Sequence, residues 1–431
     1  MNKSKKLLKL TKYSIYKSFI VTLLFIVVYQ LYNVEMVRDK FEDAGFDLTS
    51  KWFFSTKKEK APHAPKVTLF GFDDLYLKKN ALFDEDNRTN YGYVFPRSHI
   101  AKFIKRLDKV SERLLKYKLQ PPKALFVDFD FSFGTLLEGN LSVEDEAFLD
   151  LLEAKPNRAY PIVFPKTQTA NFIEYSTRPT IQQMIKEKKI LFASVGFTIA
   201  KDNATRRYVA YRAFHNPTEG NRTYPNVSIV LSKLIAGEDV NVSAIKDEFK
   251  EKDIIANRIM FKEYQPNSYK NPLENKQKSY WQDVVFYSVY HHFNGAVDEL
   301  YEDSVVMVGT SYKNNGDVFE VLASGNSTEM SGMEVHANTL MTLYYFDGQL
   351  KALKMWLMIL LVFVLVFFLD FGVAYLLFRF NKKENKWTNV AVLVLVLVVM
   401  LMVSLLLLKH SLWFNWFIPM ILYDLIDVIL G

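Results

Sequence analysis

The sequence predicts a three-layer α/β domain outside the cytoplasm, between one N-terminal transmembrane helix and a bundle of three C-terminal transmembrane helices. Two observations support this prediction. Residues 14–32 and 355–379 are hydrophobic runs long enough to cross a bilayer, and about 320 residues of ordinary globular composition lie between them. Within that middle region, short apolar runs alternate with amphipathic helical patterns, as they do in α/β domains.

Hydrophobic length sets the predicted boundaries, because a helix needs about 20 apolar residues to cross the hydrocarbon core. Whether the last segment crosses completely is left open. The predicted order is a basic N-terminus (1–13), transmembrane helix 1 (14–33), the α/β domain (34–350), transmembrane helix 2 (355–378), a cytoplasmic loop (379–388), transmembrane helix 3 (389–408) and transmembrane helix 4 (412–430).

Charge indicates the orientation. Six lysines lie within the first 17 residues, and the first acidic residue is Glu35. Because basic segments stay in the cytoplasm, both termini are expected inside and the α/β domain outside, in a bacterial inner membrane. The sequence pI is about 9.0, yet residues 33–350 carry 41 Lys and Arg against 43 Asp and Glu. The domain is therefore nearly neutral, and no nucleic-acid partner is expected.

The residue inventory argues against an enzyme. The chain contains no cysteine, which rules out disulfides, thiolate nucleophiles and cysteine metal sites. Nucleophile-elbow, Walker, dinucleotide-binding and zinc-protease motifs are all absent from the sequence. We therefore expect no catalytic residue, metal or cofactor, with an enzyme of unknown class as the remaining alternative. His336 is interpreted as a packed core histidine, with metal ligation as the other possibility.

The α/β domain opens in an order typical of a parallel crossover unit. Residues 67–72 and 124–130 are predicted as buried strands, with a helix over 98–118 between them. Residues 34–47 are expected to extend transmembrane helix 1 outward, and a homodimer through this extension stays open. Further strands are predicted over residues 160–164, 190–199, 208–214, 254–261 and 304–309, and further helices over residues 142–153, 181–188, 228–235, 281–293 and 331–347.

Acidic residues follow several of these strands. Open α/β sheets bind ligands at the carboxyl ends of their strands, so these acids are candidate ligand contacts. Arg97 starts a predicted helix and is expected to bridge to one of the acids; the alternative is a purely structural ion pair, and the strand-end acids are alternatively satisfied by neighbouring amides. The candidate ligand-binding residues are Asp73, Asp74, Arg97, Asp128, Asp130 and Asp317.

Segments of the middle region resemble one family in their order and spacing. The most specific is the closing set, residues 304–310, Gly316-Asp317 and Gly332-Met-Glu-Val-His-Ala-Asn338. The others are the strand end at 69–75, the aromatic-Pro-Arg segment at 91–97, the second strand at 124–133 and the Gly, Asp, Arg turn at 196–207. Together they are similar to type-two CHASE domains, the second class of sensory extracellular domains associated with cyclases and histidine kinases.

The resemblance implies an extracellular sensor of a small ligand or an envelope partner. The family usually continues through about three spans into a cytoplasmic output domain, which this sequence does not show. The chain is therefore expected to be a stand-alone sensor that signals through its transmembrane bundle to a separate cytoplasmic or membrane protein. The alternative is an envelope scaffold that holds partner proteins and transduces nothing.

Three acids lie inside the predicted transmembrane segments, and the last of them, Asp427, is interpreted as snorkelling to the membrane surface. A carboxylate at bilayer depth is unfavourable unless it is paired or protonated. Asp370 and Asp424 are both expected in the cytoplasmic half of the bundle. They either form a hydrogen-bonded pair with each other or contact a Lys or Arg on the transmembrane helix of a partner.

Overall fold

A computed structural model of the chain divides into two compact units. The helical unit contains residues 1–56, 252–256 and 349–431, and the α/β unit contains residues 57–251 and 257–348. The structure describes residues 3–30, 43–53, 63–80, 82, 95–131, 141–167, 171–199, 203–216, 220–249, 258–261, 283–294, 298–312, 317–323, 326–379 and 386–430.

A parallel sheet forms the centre of the α/β unit. Among the described residues it has six strands in the order β4-β3-β2-β10-β1-β9. Their bounds are β1 Lys66–Phe72, β2 Ala124–Asp128, β3 Ile162–Lys166, β4 Ile190–Ser194, β9 Val284–Ser288 and β10 Ser304–Thr310. The predicted parallel arrangement is confirmed, but β1 and β2 are not neighbours, because β10 pairs with both of them.

The strands β1, β2 and β10 are runs of apolar residues, as expected for parallel strands buried on both faces. One face of the sheet carries Phe70, Leu125 and Val306. These residues pack in one core cluster with Ile100 and Phe103, which belong to the helix that starts at Arg97. The first two helices of the unit are α3 (Asp74–Lys79) and α4 (Arg97–Lys116). The predicted helix over 98–118 is therefore confirmed as α4, and its apolar stripe faces the sheet.

The remaining helices of the α/β unit follow the sequence prediction in most places. They are α5 Val143–Glu153, α6 Pro179–Lys186, α7 Val227–Ile235, α8 Val242–Glu248, α9 Val289–Asn294 and α10 Gly332–Tyr345. The prediction of a helix over 281–293 is wrong in its first part: residues 284–288 form β9, and only α9 is helical. Residues 281 and 282 lie outside the described part of the chain. The apolar run Val-Val-Phe-Tyr fits a buried strand and a buried helix equally well.

The α/β unit also contains a second, smaller sheet and a hairpin. The sequence analysis predicted some of their strands as parts of longer strands. The second sheet has the order β12-β11-β6-β5, with β5 Phe197–Ile199, β6 Thr205–Tyr208, β11 Val318–Ala323 and β12 Asn326–Ser331. The hairpin consists of β7 Tyr211–Asn216 and β8 Gly220–Pro225. The runs predicted over 190–199 and 208–214 are therefore each divided between two sheets. Of the strand predicted over 254–261, the described part forms one isolated bridge at Arg258.

The helical unit contains the hydrophobic segments. Its elements are α1 Lys3–Gln30, α2 Asp43–Phe53, α11 Met355–Arg379, α12 Lys386–Leu408 and α13 Phe417–Leu430, with a short pairing of β13 (Lys351–Ala352) and β14 (Leu412–Trp413). Within the described residues, Leu8–Val28 and Met355–Leu376 are long and apolar enough to cross a membrane. Val394–Leu408 and Phe417–Ile426 are shorter apolar stretches.

The last predicted span begins later than expected. Residues 412–413 belong to β14, and α13 starts at Phe417. Its 14 residues rise about 21 Å, less than the about 30 Å of a hydrocarbon core. The three-helix bundle and its orientation stay predictions. The helix predicted over 34–47 and the loop predicted over 379–388 lie largely outside the described residues, although α2 covers residues 43–53.

Candidate functional site

The candidate ligand contacts gather at the carboxyl edge of the parallel sheet. Asp73 directly follows β1, and Asp128 is the last residue of β2. Ser311 directly follows β10, which lies between those two strands. The prediction that acids lie at the carboxyl ends of strands is confirmed, and this is the edge where open α/β sheets bind ligands.

Asp73 has a structural role at this edge. It caps α3, where its carboxylate accepts a hydrogen bond from Tyr76 N at 2.9 Å, and it accepts a second from Ser288 Oγ at 2.7 Å. Burial raises the pKa of Asp73, and these two hydrogen bonds partly oppose the rise. Asp74 is the first residue of α3, where a negative charge interacts favourably with the helix dipole.

Arg97 holds three segments together. Its Nε lies 3.5 Å from Asp145 Oδ1, and both side chains are buried. Its Nη2 donates to the backbone carbonyl of Asp130 at 2.8 Å, and the guanidinium stacks on Phe131 with 4.3 Å to the ring centroid. Arg97 was expected to bridge to a carboxylate at a strand end. In the structure it pairs with Asp145, a residue of α5. This supports the structural interpretation of Arg97, because a buried guanidinium needs a charged partner.

Asp130 lies at the surface end of the same segment. Its side chain is exposed, and its Oδ1 accepts a hydrogen bond from Thr167 Oγ1 at 3.3 Å. Thr167 follows β3, so Asp130 and Thr167 connect the ends of two neighbouring strands. The aromatic part of the predicted 91–97 segment, residues 91–94, lies outside the described residues, as does Gly316.

Asp128 and Asp317 form the most unusual part of the edge, which we call the acidic pair. Burial raises the pKa of Asp128 well above its ordinary value, and the charge of Asp317 raises it further. The Oδ2 atom of Asp128 is buried and has no hydrogen-bond partner among the described residues. Burial raises the pKa of Asp317 to about 6, against a hydrogen bond from the backbone of Gly332 that lowers it.

Three glycines make room for the acidic pair. Gly71, Gly309 and Asp128 are register partners across three adjacent strands, so their side-chain positions point to the same face of the sheet. A Cβ on Gly309 would lie 3.1 Å from the Cβ of Asp128, and one on Gly332 would lie 2.6 Å from Asp317 Oδ2. The absence of a Cβ at Gly309 and Gly332 therefore leaves room for the two acidic side chains themselves.

Ser311 belongs to this arrangement, and the sequence analysis missed it. A Cβ on Gly71 would lie 2.0 Å from Ser311 Oγ, so the hydroxyl occupies the space over that glycine. Its Oγ is buried and, like Asp128 Oδ2, has no partner among the described residues. The sequence signal for this residue was its position, because it directly follows a buried strand that ends in Val-Gly-Thr. The face thus carries two carboxylates and a hydroxyl.

A second charged cluster at the same edge is internally paired. Lys166, at the end of β3, and Glu174 are both buried, with 2.5 Å between Nζ and Oε2. Tyr224 donates to the other oxygen of Glu174, and Lys166 lies 5.4 Å from the centroid of that tyrosine ring. Because the groups satisfy one another, this cluster stabilises the fold around the site.

His336 is packed in the core, as predicted. It is 1% exposed and lies against Phe126 and Phe197, with centroid separations of 5.4 and 4.6 Å. Burial lowers its pKa to about 3, so the imidazole is neutral at pH 7. Its Nδ1 atom is buried and has no hydrogen-bond partner among the described residues.

A cavity of about 650 Å³ lies away from the acidic pair. Lys66, Lys123 and Asp303 line it, and they stand at the amino ends of β1, β2 and β10. Its other lining residues are His63, Ala64, Pro65, Ile235 and Glu302. Lys123 and Asp303 already form an ion pair of 3.3 Å. The cavity is therefore at the edge of the sheet opposite to the predicted ligand contacts.

In the helical unit, Asp370 has its cation within the same chain. Lys17 Nζ lies 3.1 Å from Asp370 Oδ1, and Ser14 Oγ donates to Oδ2 at 2.5 Å. The expected pairing of Asp370 with Asp424 is therefore not what the structure shows, and Asp370 does not need a cation from a partner. Asp424, in contrast, is exposed on α13.

The comparison with known families agrees with this architecture. The family model described as CHASE2 domain matches residues 20–373, which is most of the chain. No match was found to a curated protein or to a solved structure. CHASE2 is a family of extracellular sensory domains. With the parallel α/β unit between apolar helices and the match over residues 20–373, the chain belongs to the CHASE2 domain family.

Proposed function

We propose that this protein is a membrane-anchored sensor whose α/β unit lies outside the cytoplasm and binds a small ligand or an envelope protein through the acidic pair. The observation that carries the proposal is the buried, unpartnered Oδ2 of Asp128 beside Asp317. Two buried carboxylates that act on each other's charge are unfavourable when both are ionised, and a cation or hydrogen-bond donor between them relieves the repulsion. The ligand that fits is a cationic group.

Topology supports the same function. The basic N-terminus precedes the first apolar stretch, Leu8–Val28, and the second begins at Met355, just after the α/β unit. The positive-inside rule then favours the α/β unit outside a bacterial inner membrane and the N-terminus inside. Ligand binding favours one packing of the unit, and the helices at its two ends carry that difference across the membrane.

Thermal unfolding of the full chain in nanodiscs tests ligand binding. The probes are small cations of different shape: arginine, spermidine, Mg²⁺ and Ca²⁺. A probe that binds only the native state raises the melting temperature as its concentration increases. We expect a rise with at least one probe in the wild type, and no rise in the Asp128→Asn, Asp317→Asn double variant. Asp239→Asn, which removes an exposed acid of the same unit, is the matched control and should keep the rise.

Absence of any rise, or an equal rise in the double variant, would contradict binding by the acidic pair. Cross-linking in native membranes with mass spectrometry then decides between the remaining functions. A stable envelope complex recovered without ligand dependence would favour a scaffold.

The readout that we propose is a separate protein at the membrane. Its contact surface is the basic loop 379–388 together with the helices that flank it. Deleting this loop while membrane insertion is preserved should abolish co-purification of the readout protein. Undiminished recovery of that protein would remove the loop from the signalling route.

A further inference from the structure

The helices α1 and α11 of the helical unit meet at a buried ion pair. Lys17 Nζ and Asp370 Oδ1 are 3.1 Å apart, and the two side chains are 1% and 10% exposed. Both residues lie within the apolar stretches Leu8–Val28 and Met355–Leu376. Charged residues are rare in such stretches and face the interior of a helical assembly when they occur.

A third helix completes the surroundings of the pair. Tyr423 of α13 donates its hydroxyl to Asp370 Oδ1 at 3.4 Å, and the Lys17 ammonium lies 3.9 Å from the centroid of the same ring. Ser14 Oγ donates to the second carboxylate oxygen at 2.5 Å. The two charged groups therefore contact side chains from three helices. In this apolar region water cannot replace a hydrogen-bond partner that is lost.

One and two turns away from the pair, the buried side chains of α1 and α11 are uncharged. On α1 the buried apolar residues after Lys17 are Val21 and Phe25, and the buried polar ones are Ser18 and Thr22; on α11 the nearest buried residues before Asp370 are Val366 and Val362. Apolar side chains tolerate a slide of one helix turn, because each meets another apolar side chain. The ion pair does not, since a slide of about 5.4 Å separates its charges and leaves both without a partner in apolar surroundings.

We propose that the Lys17–Asp370 pair sets the register between α1 and α11. Lys17 therefore has a role beyond the orientation signal of the basic N-terminus. The proposal does not rest on the proposed function, because it concerns the ligand-free protein alone.

Disulfide cross-linking in native membranes measures the register. The chain contains no cysteine, so any disulfide within it forms between the introduced cysteines. The two reporter pairs are Val21→Cys with Val366→Cys and Val21→Cys with Val362→Cys, which differ by about one turn of α11. In a fixed register one of the two pairs should cross-link faster, because a disulfide requires Cβ atoms about 3.5–4.5 Å apart.

In the wild type we expect one pair to cross-link at least about threefold faster than the other, a ratio within the range of a single interhelical polar contact in a membrane. Lys17→Met should bring this ratio toward one. The charge exchange of Lys17→Asp with Asp370→Lys should restore it. Asp424→Asn, which alters an exposed acid of the same unit, should leave the ratio unchanged.

An unchanged ratio in Lys17→Met and in Asp370→Asn would overturn the proposal. If a single variant fails to accumulate, the variant with both Lys17→Met and Asp370→Leu carries no charge into the membrane and replaces it. Its ratio must then fall toward one, and a ratio equal to that of the wild type overturns the proposal in the same way. Because no ligand is present, this result is independent of the melting-temperature test of the acidic pair.

Discussion

The carboxylate of Asp317 occupies the space that a side chain at Gly332 would need. A Cβ at position 332 would lie 2.6 Å from Oδ2 and 2.7 Å from Oδ1, closer than any ordinary contact. Gly332 is also the first residue of α10, and its N–H donates to the Asp317 carbonyl at 3.2 Å. The glycine that opens the Gly-Met-Glu-Val-His-Ala-Asn segment thus allows an acid to lie beside the start of a helix.

Replacing this glycine should disturb the acid more than the helix. Gly332→Ala is expected to lower the free energy of unfolding by about 1–3 kcal/mol, the usual effect of forcing extra volume into a packed site. In an Asp317→Ala background the clash is absent, so the same substitution should be nearly neutral. Thermal or denaturant unfolding of the four chains measures this coupling. Equal effects of Gly332→Ala in both backgrounds would show that Asp317 is not the obstacle.

The acidic pair should make the protein less stable as the pH rises. Burial raises the pKa of Asp317 in the folded state to about 6, above its ordinary value of 3.8. Between these two values the folded state holds a proton that the unfolded state has lost, so stability falls as pH increases through this window. The raised pKa of Asp128 acts in the same direction.

Asp317→Asn should remove this loss of stability. Relative to the wild type, the variant is expected to gain on the order of 2 kcal/mol between pH 4 and pH 7, since one pKa unit corresponds to about 1.4 kcal/mol. The measurement is the difference in unfolding free energy between the two chains at a series of pH values, which cancels the titration of all other groups. A constant difference over this range would contradict a buried Asp317 with a raised pKa.

His336 should act in the opposite direction. Its pKa is lowered to about 3 in the folded state, so below pH 6.5 the unfolded state takes up a proton that the folded state does not. Stability conferred by the neutral ring is therefore lost as the pH falls from about 6.5 toward 3. His336→Phe, which keeps an aromatic ring between Phe126 and Phe197, should reduce this acid sensitivity. An acid unfolding curve that coincides with that of the wild type would contradict the buried neutral state.

Two arginines of α4 provide a matched test of the buried ion pair. Arg97→Met leaves the buried carboxylate of Asp145 without this cation and should lower the free energy of unfolding by about 3–5 kcal/mol. Arg113→Met breaks an ion pair with Asp298 whose side chains are 41% and 31% exposed, and should change it by less than about 1 kcal/mol. Similar losses in the two variants would show that Arg97 does not carry the structural role assigned to it.

The sequence predicted local elements better than long-range neighbours. The helix over 98–118 and the strands over 67–72 and 304–309 were found within two residues at most ends, because their apolar spacing is regular. The insertion of β10 between β1 and β2 could not be predicted, since no local pattern encodes strand order. The strand β9 was predicted as a helix because its apolar run has no decisive period.

The same limit applies to the site. The acids at strand ends were recognisable from their position, but their partners were not: Arg97 pairs with Asp145, and Asp128 faces Asp317, which is remote in sequence. Lys17 was counted as part of the orientation signal, although its side chain is buried against Asp370. Burial and pairing at a distance depend on the packing of whole helices, which composition and spacing do not specify.

Cysteine labelling in intact cells tests most directly whether the α/β unit lies outside the cytoplasm. The chain has no cysteine of its own, and Val143 is 87% exposed on α5. With a membrane-impermeant maleimide, Val143→Cys should be labelled in intact cells, and Lys382→Cys, in the loop 379–388, only after permeabilisation. Labelling of Lys382→Cys in intact cells, with Val143→Cys protected until the membrane is opened, would contradict an extracytoplasmic sensor.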